Sequence, residues 1–166
     1  MKKKIKLNIE NIDKLIGLMK RIPDDKFNIR TFQSNENGTH KMLKTERGVL
    51  NNCGTTCCIS GWIRVSPEFK ELQKPQFIND RAFVHKKLYN GISESIDYRA
   101  SSEDYTVSIA MLLGIPDMLA DALIYYSFRL YDRYLPKNYS DDNIKPAHVI
   151  SILEDIKTGK LVWPKI

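Results

Sequence analysis

Apolar residues at Ile9, Ile12, Leu15, Ile16, Met19 and Ile22 recur at the three- and four-residue spacing of one helix face. Asn8 stands where an N-cap belongs, and Pro23 stops the pattern. The period then changes. In "FNIRTF" (27–32), Phe27, Ile29 and Thr31 alternate with Asn28, Arg30 and Phe32, as a short strand would. "QSNENGTHK" (33–41) carries Asn-Gly and reads as a hairpin tip, with "TERGVLNN" (45–52) as the returning strand.

Helical signals dominate the rest. Residues 57–65 read as a helix limited by Pro67, and 81–91 as a short helix closed by Gly91. The stretch 101–114 opens on Ser101 with Asp104 three residues on, close to a capping box, and ends at Gly114. "IPDMLADALIYYSF" restarts at once, with Pro116 suited to the first helical position and Asp117 to the positive helix end. A last helix spans 145–159, with Pro146 at its start, Val149, Ile152, Leu153 and Ile156 on one face, and Gly159 at its end. The tail "KLVWPKI" is expected to pack back through Val162 and Trp163. The pattern therefore predicts a mainly α fold: a single compact helical domain with a minor β hairpin near residues 27–50.

Composition adds bounds to that outline. A chain of 166 residues, 42% hydrophobic and 28% charged, has one domain's worth of core and no apolar run long enough to span a membrane. Polar residues from Asn8 to Lys14 interrupt the apolar segment that a secretory leader would need, so export is not expected. Three cysteines and no export signal point to reduced thiols in a cytosol. Charge divides the chain into a basic N-terminal region, 1–50, and a helical body, 51–166. The first holds 12 Lys/Arg against 6 Asp/Glu, and the second 14 of each, so the net +6 belongs wholly to the first. That asymmetry suits either an anionic partner or a solvated lysine-rich surface, since no dense basic block follows Lys2–Lys4.

The candidate chemistry centres on "NNCGTTCCISGW" (51–62), which holds Cys53, Cys57 and Cys58. A structural zinc site needs a second ligand pair, and only His40, His85 and His148 could supply one, so neither metal nor cofactor is expected. A thiol at a helix start is activated by the dipole, which makes Cys58 or Cys57 with His85 or His148 a conceivable hydrolase. No sequence signature for such a base surrounds either histidine. Gly54, Thr55 and Thr56 ahead of a helix, with Arg30, could hold an anion through backbone N–H groups, hydroxyls and a guanidinium. The 109–124 pair has helix-turn-helix spacing, but Asp117 and Asp121 would repel phosphate, so it reads as two packed helices. "YYSFRLYDRYLPKNY" (125–139) interleaves aromatics and cations, which makes Tyr125, Tyr126, Arg129, Tyr131, Arg133 and Tyr134 the candidate partner surface.

Three segments together resemble a family of small proteins common in bacteriophages and prophages. Its C-G-T-x-x-C-[IL]-A-G-[WH] segment is matched by Cys53, Gly54, Thr55, Cys58, Ile59, Gly61 and Trp62, with Ser60 in place of the usual alanine. Gly114 matches a later helix pair. Pro146, Val149, Leu153, Thr158, Gly159 and Trp163 match a C-terminal helix. The likeness covers most of 50–163. It implies a viral protein acting in the host cytoplasm, with Cys53 and Cys58 as the family's thiols and Cys57 incidental. It carries no activity. The expectation is a non-enzymatic binding protein that modulates or inhibits a host process such as antiviral defence. Its partner would be a host protein or an anionic ligand, either nucleic acid or nucleotide.

Overall fold

The computed structural model describes residues 6–29, 43–51, 55–69, 109–124, 128–137 and 139–161. Helix α1 (Ile9–Arg21) forms where the stripe predicts it, and Asn8 Oδ1 accepts the Asn11 N–H at 3.1 Å as its N-cap. It buries Ile12, Leu15, Ile16, Leu18 and Met19. Ile22 is extended ahead of Pro23, and a short 3-10 turn, Asp24–Lys26, follows.

The expected hairpin finds no support among the described residues. Among the described residues there is no strand, and Phe27 makes only an isolated parallel bridge, to Cys57. The supposed returning strand is instead helix α2 (Glu46–Asn51). Thr45 Oγ1 accepts the Gly48 N–H at 3.1 Å, a local cap that the hairpin reading overlooked, and Val49 is the buried residue of α2. Residues 30–42 lie outside the described part.

Helix α3 (Ile59–Val65) is buried nearly all round, with Ile59, Trp62 and Ile63 fully enclosed. It ends at Ser66, before the 3-10 turn Pro67–Phe69. Residues 109–113 are helical and close on Gly114, where the Ile115 N–H returns to the Ala110 carbonyl at 3.0 Å. Helix α4 (Asp117–Ile124) follows. The Pro116 carbonyl accepts the N–H groups of Leu119 and Ala120, which puts Pro116 just before the helix and not at its first position. Then come α5 (Phe128–Tyr131) and α6 (Pro146–Lys157). The expected helix at 81–91 and the packing of Val162 and Trp163 fall outside the described residues.

Two contacts organise these elements. Helix α1 lies along α6, with Lys157 Nζ 2.5 Å from Asp13 Oδ1 at the rim of their interface. The start of α1 plugs the end of the 109–113 helix: Asn8 N–H donates to the Leu113 carbonyl at 2.9 Å and the Asn11 amide to the Leu112 carbonyl at 2.8 Å. Carbonyls that a helix end leaves unpaired are thus satisfied by residues about 100 positions away. The buried residues of every described helix join one hydrophobic cluster.

Candidate functional site

The cysteine stretch is a structural joint. Cys57 N–H donates to the Lys26 carbonyl at 3.1 Å, Asn28 N–H donates to the Cys57 carbonyl at 3.1 Å, and the Trp62 indole N–H reaches the same Lys26 carbonyl at 3.2 Å. Residues 26–28 are therefore fastened to the entry of α3. Cys57 is fully buried and Cys58 is 5% exposed. Burial pushes the Cys58 thiol up, and the N–H groups of Ser60 and Gly61 at the helix start do not reverse it. Desolvation outweighs the helix end here, which is the opposite of an activated nucleophile.

Thr55 is fully buried and Thr56 half-buried, so the threonines belong to the packed joint more than to an open loop. Gly54, Arg30, Cys53, His40 and His85 lie outside the described residues. His148 is occupied: its Nδ1 accepts the Lys145 N–H at 3.0 Å across the first turn of α6. Burial lowers its pKa, with Lys145 acting in the same direction and Asp24 against it.

The aromatic segment separates into core and surface. Tyr131 is withdrawn from the expected partner surface: it is fully buried, and its hydroxyl donates to the Leu123 carbonyl at 2.8 Å. Tyr134 is half-buried and donates to Asp155 Oδ2 at 2.9 Å; burial and that carboxylate push its pKa up to about 12. Arg133 is exposed. Tyr125, Tyr126 and the side chain of Arg129 are outside the described part.

What the linear reading missed is an open cleft of about 450 Å³ between α2 and the turn after α3. Leu50, Val65 and Pro67 form its apolar lining, and Lys44, Arg47 and Asn51 stand at its rim. Its electrostatics are set by Arg21 of α1. The guanidinium meets both Glu46 carboxylate oxygens, at 3.3 and 3.4 Å, and Glu68 Oε1 at 2.5 Å. Glu68 in turn accepts from the Ser66 hydroxyl. The Glu46 hydrogen bond heads the causes that hold the Arg21 pKa above its ordinary value. Burial alone would raise Glu68, but Ser66, its own backbone N–H and Arg21 bring it below the ordinary carboxylate value. Both acids near the cleft are thereby spent on Arg21. Among the described residues Lys44 and Arg47 have no ion-pair partner, and both are exposed.

The sequence held one signal for this site, the cationic excess of the first 50 residues. It could not show that Glu46 is neutralised by a residue 25 positions back, or that Val65 and Pro67 lie beside Leu50. Among the described residues no group of three or more His, Cys, Asp or Glu side chains could hold a metal ion, and no helix is long and apolar enough to cross a membrane. Comparison with protein-family models, curated proteins and solved structures returns no match.

Proposed function

We propose that this chain is a non-enzymatic binding protein, phage-encoded, that modulates or inhibits a host process such as antiviral defence by holding a host protein, nucleic acid or signalling nucleotide. The phage assignment rests on the segments 53–62, 114 and 146–163. The observation that carries the binding reading is the cleft beside α2, where Lys44 and Arg47 have no ion-pair partner among the described residues and stand beside an apolar lining. Exposed cations beside apolar surface favour an anionic partner that also brings an apolar face. Burial of Cys57 and Cys58 and the engagement of His148 weigh against the hydrolase alternative.

The test is affinity capture from infected bacteria with the wild-type chain and with a K44E/R47E variant, followed by analysis of proteins, nucleic acids and small molecules. A partner retained by the wild type and released by the double charge reversal is the expected result. An empty capture on all three counts would overturn the reading.

A further inference from the structure

We infer that the cleft beside α2 is a nucleotide site, with the phosphate on Lys44 and Arg47 and the base on the Leu50–Val65–Pro67 floor. This deepens the binding reading given above and rests on it. The volume of about 450 Å³ falls within the roughly 300–1,000 Å³ of small-molecule sites. Two cations with no acidic partner among the described residues match the charge of one phosphate group, and Arg47 can present a guanidinium fork to its oxygens. Extended nucleic-acid interfaces collect several such phosphate contacts, so two cations fit a mononucleotide better than a polymer.

The floor narrows the class further. Free phosphate would leave Leu50, which is half-buried, and Pro67, which is exposed, with nothing to cover them. A base presents a flat face that needs no hydrogen bond and can lie on apolar carbon, while its edge can pair with an amide. Asn51, exposed at the end of α2, supplies that amide on the rim. Because the cleft is open on one side, much of the ligand stays in water, and modest affinity follows.

The experiment is calorimetric titration of the full chain at low salt with the four nucleoside monophosphates, inorganic phosphate and a short single-stranded oligonucleotide. At least one monophosphate should bind at least about tenfold more tightly than inorganic phosphate. K44E/R47E should weaken it by about tenfold or more, the scale of charge-assisted contacts, with an unchanged far-ultraviolet spectrum and melting temperature. L50N, on the floor, should weaken the nucleotide and leave phosphate binding unaltered. Failure of every monophosphate to bind, or binding that ignores Lys44 and Arg47, overturns the nucleotide assignment. Oligonucleotide binding alone, dependent on those two residues, would sink that assignment and leave the binding-protein reading standing. No binding here together with an empty capture would remove both.

Discussion

Gly114 and Gly159 both end helices with a left-handed backbone, φ +64° and +71°, and a sequence argument treats them alike. Their surroundings differ. A Cβ on Gly114 would lie 2.0 Å from the Lys6 carbonyl oxygen and 2.9 Å from the Asn8 nitrogen, both backbone atoms, whereas one on Gly159 meets nothing within 4 Å. G159A should therefore cost only the conformational penalty, about 1–2 kcal/mol. G114A must also displace the chain entering α1 and break the Asn8–Leu113 hydrogen bond, so a loss of more than about 3 kcal/mol is expected. Urea unfolding of the two variants checks this; equal losses would mean that the docking of α1 on the 109–113 helix end contributes little. The C′ role of both glycines was legible because φ preference is local. Their inequality was not, because Lys6 and Asn8 reach Gly114 only through the fold.

Helix α6 shows what local rules reach at the scale of an element. Pro146 and Gly159 bracketed it correctly, since each acts on its own neighbours. The work of His148 was less visible: weighed as a catalytic base, it serves as the acceptor that holds the Lys145 N–H. That bond needs a neutral imidazole with Nδ1 unprotonated. Burial depresses the folded pKa, so the unfolded chain takes up the proton first as pH falls. The contribution of His148 is present above its ordinary value near 6.5 and is lost as pH falls through the folded value. Wild type should lose stability between pH 7 and 5, and H148A, already weaker by about 1 kcal/mol, should lose less over that interval. Denaturation midpoints at both pH values measure it, and parallel losses would exclude His148 as the titrating group. For α2 the error ran the other way. Residues 45–52 were assigned to a strand only as the return from the Asn-Gly tip, but the Thr45 cap and the ion pair from Glu46 to Arg21 favour a helix.

For the whole molecule, the core carries weakly acidic groups that prefer to stay protonated. Burial raises Cys58 and Tyr131 above their ordinary values near 9 and 10, and burial with Asp155 raises Tyr134 to about 12. Each folded pKa exceeds the unfolded one. The associated stability is therefore complete below pH 9 and declines as pH rises through the folded values. Stability should fall progressively from pH 9 to 11, followed by chemical denaturation. Y131F, which cannot ionise, should be less stable at pH 8 because it leaves the Leu123 carbonyl without its donor, yet should lose less on going to pH 11. An identical alkaline slope in wild type and Y131F would contradict this.

The positions of α1, α4 and α6 and the mainly α class were set by the sequence itself, because side-chain spacing, Asn8, Pro146 and the two glycines act within a few residues of where they sit. The charge asymmetry was likewise legible without any fold. Tertiary structure alone decided where that charge is usable. Arg21 draws off Glu46 and Glu68 across 25 and 47 residues, and among the described residues Lys44 and Arg47 have no ion-pair partner. The same folding encloses Cys57, Cys58 and Tyr131, residues whose chemistry looked available on paper. Burial and electrostatic compensation both depend on contacts between distant segments, and no local pattern encodes them.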